Sequence, residues 1–379
     1  MRTDGFVLNG AVSMCCAQEE AKRYLLSCGI EDAAVDVWYL MEFVTGVSRA
    51  SYLADRERGL SEEQRDAYAA LVNRRGAHIP LQHLTGEQEF MGLPFLVNAH
   101  VLIPRQDTET LVELALSVLE REIPARRTGA GLLCNDSSHP SCGRSQIPDG
   151  CVGGGIGIGS AAEQQEKKLQ SYRVLDLCTG SGCIAISLEK QWEARRVGGN
   201  LPDGRNSESV GTGMGGRLAG GESASCLELY ASDLSEEALA VARENARRLD
   251  AGVHLIQSDL FAQISVPGAE GVFDMIVSNP PYIRTSVIEE LSEEVRLHEP
   301  RMALDGGADG LDFYRKIICE SRDHLRPDGW LLMEIGYDQG EAVSDLMREN
   351  GFTEVCVRKD LPGNDRVVSG RASLGGDYV

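Results

Sequence analysis

The sequence is short of positive charge, with 37 lysine and arginine residues against 58 aspartate and glutamate residues and a formal net charge of −21. Proteins that bind the backbone of nucleic acids use basic surfaces to release counterions from the phosphates. We do not expect a chain with this charge balance to form an extended basic surface. We therefore expect no direct binding to nucleic acid.

Long apolar runs are also missing, because none approaches the roughly 20 residues that span a bilayer. The most apolar stretch near the N-terminus, residues 37–44, is broken by Glu42 and begins too late for a secretory signal. We expect a cytoplasmic protein that does not contact membranes.

A recognisable zinc-binding pattern is absent too. Cys134, Cys142 and Cys151 lie near His139, but their spacing does not fit a C-x2-C site. The total of 11 cysteines is odd, which argues against an oxidised disulfide framework and favours a reducing compartment. We expect free thiols and no bound metal.

Glycine, in contrast, is abundant and unevenly distributed. The stretches 129–160 and 193–226 hold 18 of the 42 glycines, and the rest of the chain has an ordinary composition. We interpret 123–170 and 193–226 as flexible insertions that lengthen the protein without contributing to its chemistry.

Helical spacing dominates the region from 18 to 75. Ala34, Val37, Met41 and Val44 recur at the helical period, and the segment from Ser61 to Gln64 has the form of a capping box. Two short strands with a turn are predicted between 87 and 103, and a helix over 107–122. The expected units are an N-terminal helical domain (1–86), a β-hairpin linker (87–104) and a larger domain (105–379).

Strands and amphipathic helices alternate after the first glycine-rich stretch, which predicts a mostly parallel sheet covered on both faces. Helices are predicted near 182–191, 235–249, 310–325 and 338–350, and the last two strands are expected to form an antiparallel hairpin at one edge. The predicted strands are Tyr172–Cys178, Leu227–Ser232, Val253–Gln257, Phe273–Ser278, Gly329–Ile335, Thr353–Val357 and Arg366–Ser369.

A glycine-containing loop follows the first of these strands and leads into a helix. Gly180 and Gly182 allow a tight turn that brings backbone amides close to a ligand, and Asp176 is an acid beside which a cationic group could sit. The loop lacks the dinucleotide fingerprint, because Cys178 and Cys183 occupy two of its glycine positions. Taken alone, it leaves a nucleotide-type cofactor and a plain tight turn as alternatives.

Two further acids end the next two predicted strands. Asp233 could accept hydrogen bonds from both hydroxyls of a ribose, or act only near a helix start. Asp259 could accept from an adenine amino group while Leu260 packs on the ring, although a solvated acid at a strand end is the simpler reading of Asp259 alone. Three such sites at three successive strand ends favour a nucleotide-type cofactor.

The most specific motif is Asn279-Pro280-Pro281-Tyr282, directly after a buried strand. Consecutive prolines stiffen the chain and leave carbonyls free to accept. The Asn279 side-chain oxygen and the Pro280 carbonyl can both accept from one planar NH2 group, and Tyr282 offers an aromatic surface that holds such a group flat. This combination points to catalysis on an amino or amide nitrogen.

On these residues the chain resembles the class I S-adenosylmethionine-dependent methyltransferases with an N-P-P-Y motif, and more closely the release factor glutamine methyltransferase family. The N-P-P-Y motif alone is shared with nucleic-acid amino methyltransferases. The other matching stretches are Pro80–Gly86, Glu89-Phe90, Leu102–Glu109, Leu175–Gly182, Val277–Ile283, Glu299-Pro300, Ala303-Leu304 and Gly363–Val367.

The resemblance implies an α/β class I methyltransferase (Rossmann-like) fold, with a seven-stranded mostly parallel sheet and a small N-terminal helical bundle joined by a β-hairpin. It implies transfer of a methyl group from S-adenosylmethionine to the N5 amide nitrogen of the glutamine in the Gly-Gly-Gln motif of peptide chain release factors, in translation termination. The helical domain would dock the release factor, and we expect a monomeric enzyme.

By motif position, the family resemblance also assigns residues. Asn279, Pro280 and Tyr282 would be catalytic, and Asn279 to Tyr282, including Pro281, would grip the substrate glutamine. One departure is Cys178, where the family more often has glycine; we expect a tolerated variant. The residues expected to bind the cofactor are Asp176, Cys178, Thr179, Gly180, Ser181, Gly182, Asp233, Asp259, Leu260 and Asn279.

Two other functions remain open at this point. A DNA or RNA amino methyltransferase, acting on adenine N6 or guanine N2, would flip its base into the same pocket, but it would need the basic face that the composition lacks. A binding module that kept the fold without activity would not need to retain the pocket residues.

Overall fold

The computed structural model describes residues 5–123, 171–197, 226–266 and 271–373. The cysteines from 134 to 151 and nearly all of the two predicted insertions lie outside these ranges. In the part of the chain that the structure describes, no helix has both the length and the apolar character needed to cross a membrane.

Five helices form the N-terminal region and pack around a core of their own. The capping box predicted at the start of the fourth helix is confirmed, since the Ser61 hydroxyl accepts from Gln64 N and Gln64 Oε1 accepts from Ser61 N, both at 3.1 Å. The helices are α1 (Met14–Ser27), α2 (Ala33–Thr45), α3 (Arg49–Ala54), α4 (Glu62–Gly76) and α5 (Leu81–Thr85).

The buried stripe of α2 differs slightly from its prediction. Ala34 is exposed, and the stripe runs through Ala33, Val37, Leu40 and Met41. The apolar sequence around α2 allowed more than one helical register, and packing against α1 and α4 selects this one. The stretch before α1, for which no element was predicted, contributes buried side chains as well.

A β-hairpin connects this region to the rest of the molecule, as predicted. Strands β1 (Glu87–Phe90) and β2 (Leu93–Leu96) pair antiparallel. Phe90 and Phe95 meet edge to face, with 6.1 Å between ring centroids, and they join the core beneath helix α6 (Glu109–Ser117).

The central element is a sheet in the order β5-β4-β3-β6-β7-β9-β8, with β9 antiparallel to both neighbours and the other pairs parallel. The predicted seven-stranded, mostly parallel sheet and its C-terminal hairpin are confirmed. The strands are β3 (Ser171–Leu177), β4 (Cys226–Asp233), β5 (His254–Gln257), β6 (Phe273–Ser278), β7 (Leu325–Glu334), β8 (Phe352–Lys359) and β9 (Asp365–Ala372).

Helices cover both faces of the sheet, and β6, at its centre, is buried at every position. Two cores result, one on each face. The helices are α7 (Cys183–Val197), α8 (Glu236–Arg248), α9 (Glu293–His298), α10 (Asp312–His324) and α11 (Gly340–Glu349).

The bounds predicted for the second insertion were too wide at both ends. A start at residue 193 falls inside α7, which continues to Val197, and its predicted end, Cys226, is already in β4. Trp192 packs edge to face on Tyr172 with 6.1 Å between centroids, and Arg195 pairs with Glu113 at 2.9 Å. These contacts from distant residues extend the helix past the point where its apolar pattern ends.

Candidate active site

A cavity of about 520 Å³ opens at the carboxyl ends of β3, β4, β5 and β6. Its walls come from the loops after these strands, from residues 100–108 and from parts of the segment between 279 and 316. In parallel sheets, ligands bind at this edge, because the loops that follow successive strands converge there.

The loop from Cys178 to Gly182, here called the glycine loop, turns on three residues with positive φ. Cys178 has φ +59°, Gly180 +55° and Gly182 +81°. At Gly182 a Cβ atom would lie 3.2 Å from the Cβ of Ala242, so this glycine also permits close packing of α7 against α8. Cys178 adopts a left-handed conformation that favours glycine, which is a physical reason for glycine at this position.

Asp176 is fully buried beneath the glycine loop and does not line the cavity. Its Oδ2 accepts from the Thr179 hydroxyl at 2.6 Å and from Ala185 N at 3.3 Å. Burial raises the pKa of this carboxyl to about 7, against the lowering effect of these hydrogen bonds. In the structure Asp176 organises the loop, and it does not face the cavity where a cationic ligand group would lie.

Asp233 holds the glycine loop from the neighbouring strand. Its Oδ2 accepts from Gly180 N and its Oδ1 from Ser235 N, each at 2.9 Å. Burial raises the pKa of Asp233, and these backbone hydrogen bonds oppose the rise. The residue lines the cavity and has an anchored carboxylate with acceptor capacity left for a ligand.

Asp259 and Leu260 line the same cavity after β5. Asp259 is exposed, whereas Leu260 is buried and has φ +49°. The Ser258 hydroxyl donates to Leu260 O at 2.7 Å and fixes this strained turn. The turn therefore presents an acidic side chain beside an apolar one.

The N-P-P-Y motif (residues 279–282) begins where β6 ends. Asn279 lines the cavity, and its Nδ2 donates to the Thr108 hydroxyl at 3.3 Å. This contact occupies the nitrogen and leaves Oδ1 as an acceptor. Pro281 also lines the cavity, while Pro280 is buried beside it.

Residues far along the chain support the motif from behind. Gln339 Nε2 donates to the carbonyl of Tyr282 at 3.1 Å, and the Tyr282 hydroxyl donates to Glu334 Oε1 at 3.4 Å. Gly306 lies so close that a Cβ atom there would be 2.7 Å from Tyr282 Cα. The position of the motif is thus set by the end of β7, by the residue that precedes α11 and by the loop around residue 306.

Glu334 is 1% exposed and lies at the end of β7. Burial raises its pKa to about 7, although hydrogen bonding from Thr108 and the charge of Arg366 lower it.

Two ion pairs fix the segment that carries Thr108. Arg105 pairs with Glu299, and Asp107 pairs with Arg366 at 3.1 Å. Burial raises the pKa of Glu299, and the neighbouring Arg105 opposes that rise. The two pairs connect the entrance of α6 to the loop after the motif and to β9.

Asn245, on α8, fastens the hairpin to the glycine loop. Its Oδ1 accepts from Leu96 N at 2.7 Å, and its Nδ2 donates to Leu96 O at 3.1 Å and to Ser181 O at 2.9 Å. The residue is fully buried, so these hydrogen bonds are shielded from water.

The structure brings most of the predicted site residues to one cavity. Asp176, Gly182, Pro280 and Tyr282 are not among the residues that line it; Pro280 and Tyr282 adjoin the lining residues Asn279 and Pro281 in the motif. Those that line it are Cys178, Thr179, Gly180, Ser181, Asp233, Asp259, Leu260, Asn279 and Pro281.

Sequence reasoning missed the supporting residues Thr108, Asn245, Glu334 and Gln339. Thr108 stood inside the matching stretch Leu102–Glu109 but received no role there. Glu334 is the last residue of β7, and a charged residue inside the predicted apolar strand Gly329–Ile335 was the one available signal.

Comparison with known protein families gives two matches. The family described as the PrmC N-terminal domain matches residues 17–86, and the methyltransferase small domain matches residues 208–359. The two matches cover most of the N-terminal helices and much of the sheet.

Curated relatives match nearly the whole chain. It is 35% identical over 350 residues to the release factor glutamine methyltransferase of Geobacter sulfurreducens, covering 92% of this chain and 93% of that protein. It is also 35% identical to that of Moorella thermoacetica, covering 92% and 94%. The enzyme of the same name from Caulobacter vibrioides is 33% identical.

Among solved structures, a release factor-specific protein-(glutamine-N5) methyltransferase from Alicyclobacillus acidocaldarius matches with 23% identity and a TM-score of 0.31, covering 72% of this chain and 95% of that one. A methyltransferase from Pyrococcus furiosus matches with 20% identity and a TM-score of 0.35, covering 55% and 79%.

Proposed function

The chain belongs to the release factor glutamine methyltransferase family, and we propose that it transfers a methyl group from S-adenosylmethionine to the N5 amide nitrogen of the glutamine in the Gly-Gly-Gln motif of peptide chain release factors. The observation that carries the proposal is the orientation of Asn279. Its nitrogen is held by Thr108, so its oxygen is the acceptor at the wall of the cavity.

The cavity suits a cofactor of this type. A Cβ atom at Gly180 would meet nothing within 4 Å, so the loop backbone is open on that side. Asp233 would accept from the ribose hydroxyls, and Asp259 with Leu260 would hold the adenine. The glycine loop would hold the methionine part. When bound, S-adenosylmethionine supplies a methyl group on a positively charged sulfur.

The chain's own residues have to orient a poor nucleophile, because the lone pair of an amide nitrogen is delocalised into its carbonyl. Asn279 Oδ1 and the Pro280 carbonyl would accept the two amide hydrogens of the substrate and aim its nitrogen for in-line attack. The same acceptors stabilise the positive charge that develops on this nitrogen. Tyr282, anchored by Glu334 and Gln339, would flank the planar group.

For the rest of the chain we propose a helical release factor-binding domain (1–86), a hairpin linker (87–104) and a methyltransferase domain (105–379). The buried Arg75 on α4 supports a fixed arrangement of the helical domain and the methyltransferase domain, since it pairs with Asp36 on α2 and with Glu294 on α9. We further propose that the enzyme acts as a monomer, which light scattering of the purified protein would test.

The test is methyl transfer from radiolabelled S-adenosylmethionine to purified release factor. Label should appear in the release factor and be lost when its Gly-Gly-Gln glutamine is replaced by alanine. DNA and RNA serve as parallel substrates. Label in nucleic acid alone would overturn the proposal in favour of an amino methyltransferase acting on bases.

A further inference from the structure

Exposed apolar side chains are unevenly distributed over the methyltransferase domain. In the part of this domain that the structure describes, five large apolar side chains are exposed by half or more. None of the five lies on α6, α7, α8, α10 or α11, the helices that cover the faces of the sheet. All five follow the carboxyl ends of strands, at the edge of the sheet where the cavity opens. They are Leu234 after β4, Leu297 and Met302 after β6, Tyr337 after β7 and Leu361 after β8.

Tyr337 lies beside the N-P-P-Y motif on a turn that is firmly held. Gln339 N donates to Gly336 O at 2.9 Å, which closes the turn and leaves Tyr337 at its tip, 71% exposed. The Gln339 side chain donates to the carbonyl of Tyr282 at 3.1 Å. The exposed tyrosine therefore stands on a support that also holds the motif.

Leu361 occupies the same position in a second turn, between β8 and β9. Gly363 N donates to Asp360 O at 3.1 Å, and Leu361 is fully exposed at the tip. The Asp360 carboxylate accepts from Arg366 at 3.1 Å, and Arg366 also pairs with Asp107 at 3.1 Å. These two ion pairs connect the turn to the segment before α6 that contributes to the wall of the cavity.

The two turns lie at the same edge of the sheet, separated by β9. β8 runs parallel to β7, because both strands are antiparallel to the β9 strand between them. Exposed turns favour glycine, proline, asparagine, aspartate and serine, so turn formation does not explain a tyrosine and a leucine at the tips. A single exposed apolar side chain is ordinary, but a set that borders one cavity marks an interaction surface.

A protein substrate has to cover this edge of the sheet during the reaction. A glutamine side chain is short, so its amide reaches Asn279 only when the backbone that carries it comes to the mouth of the cavity. The neighbouring surface of that protein then meets the loops on either side of the motif. β7 lies beside β6 on the side away from β3, so Tyr337 flanks the motif opposite the glycine loop.

We propose that Tyr337 and Leu361 form a docking surface for the release factor, which contacts them with an apolar patch next to its Gly-Gly-Gln motif. The proposal rests on the proposed function, in which the substrate glutamine belongs to that protein. Both side chains stand on turns that are already ordered, so little backbone entropy is lost when they are covered. Tyrosine is also a residue type that often dominates the binding energy of protein interfaces.

The test is a double variant, Tyr337→Ser with Leu361→Ser, assayed for methylation of purified release factor. Both side chains are exposed, so the variant should fold with an unfolding midpoint close to that of the wild type. We expect KM for the release factor to rise about 10- to 100-fold, because two apolar contacts are lost. The value of kcat should stay within about threefold of the wild type, and calorimetry should show unchanged affinity for S-adenosylmethionine.

A conservative double variant, Tyr337→Phe with Leu361→Met, keeps the apolar area and should hold KM within about threefold of the wild type. Cys356→Ser is the matched control, because Cys356 is exposed on β8, the strand that leads to the second turn. This control should leave both KM and kcat unchanged.

The proposal is overturned if the folded double-serine variant keeps KM for the release factor within threefold of the wild type, or if the conservative variant is as impaired as the double-serine variant. Light scattering supplies a further check on the occupant. A wild-type oligomer that becomes monomeric in the double-serine variant, with KM unchanged, would assign the surface to a second copy of this chain and overturn the proposal as well.

A wild-type protein that binds the cofactor but does not methylate release factor would refute the proposed function instead. The docking surface fails only when the wild type methylates release factor and the double-serine variant does so with the same KM. The two failures are therefore distinguishable in the same experiment.

Discussion

The glycine loop and the N-P-P-Y motif follow neighbouring buried strands at one edge of the sheet, but they are held in different ways. The glycine loop is fixed by acids at the ends of β3 and β4, Asp176 and Asp233, which bond to its hydroxyl and backbone groups. The motif is fixed by Thr108 and Gln339, which lie 171 and 57 residues from their partners along the chain. The glycine loop is held by side chains at the ends of its own strand and the adjacent one, whereas the motif is also held by residues outside the sheet, at the entrance of α6 and just before α11.

The largest effect should come from Asn279→Ala, which removes the acceptor in the motif and leaves the glycine loop intact. We expect methylation of release factor to fall by about 10³-fold or more, because this acceptor both orients the nitrogen and stabilises its charge. Cofactor affinity should be largely unchanged. Labelled methyl transfer and calorimetry measure the two properties, and near-normal methylation would refute the role of Asn279.

Gly306→Ala should displace the N-P-P-Y motif, because Gly306 packs directly against it. The new Cβ would lie 2.7 Å from Tyr282 Cα and 2.9 Å from Pro281 O, so the motif must shift. We expect kcat/KM for the release factor to fall about 10- to 100-fold, with cofactor affinity within threefold of the wild type.

Gly59→Ala is the matched control, because a Cβ there meets nothing within 4 Å and the residue lies far from the cavity in sequence, before α4. A loss of cofactor affinity in Gly306→Ala equal to its loss of activity would show that the two regions are not separately supported.

Asp176→Asn tests the support of the glycine loop through the pH dependence of protein stability. Burial raises the pKa of Asp176 from 3.8 to about 7. Between these values the unfolded chain loses the proton and the folded protein keeps it, so ionisation lowers the free energy of unfolding as pH rises. Asparagine removes this dependence.

We therefore expect the stability of Asp176→Asn relative to the wild type to increase by roughly 1–4 kcal/mol between pH 4 and pH 7. Urea unfolding across this range measures it, with the exposed Asp345→Asn as the control. A stability difference that stays constant with pH would contradict the assignment.

The smallest effect is expected for Cys178→Gly. The φ of +59° strains the cysteine backbone, whereas glycine adopts this conformation without strain. Glycine, however, loses more conformational entropy on folding, which offsets part of the gain. The free energy of unfolding should rise by about 0.5 kcal/mol, with methylation within twofold of the wild type. Destabilisation by more than about 1 kcal/mol would show that the thiol contributes packing that outweighs the strain.

The same contrast explains what could be predicted from the sequence. The strands were found because buried β6 and its neighbours are continuous apolar runs, and the cavity residues were found because they follow those strands directly. The direction in which a side chain points could not be predicted from the sequence. Asp176 was expected to face a ligand, but the hydroxyl of Thr179 and the start of α7 hold it beneath the loop.

The support of the motif could not be predicted, because Thr108, Glu334 and Gln339 reach it only through tertiary packing. No local spacing links them to Asn279 or Tyr282. The extension of α7 past residue 191 has the same origin, since Trp192 and Arg195 find their partners in β3 and α6.

The hydrogen bonds that Asn245 makes to the hairpin and to the glycine loop determine how these two segments tolerate substitution. All three of its partners, Leu96 N, Leu96 O and Ser181 O, are backbone atoms. Replacing the residue at 96 by any residue except proline, or the side chain at 181, would leave every one of these hydrogen bonds available, whereas replacing Asn245 would break all three together. For this connection, a foreign hairpin in a chimaera would need the right backbone path and an N–H group at position 96, but no particular side chain there, provided that the recipient retains this one asparagine.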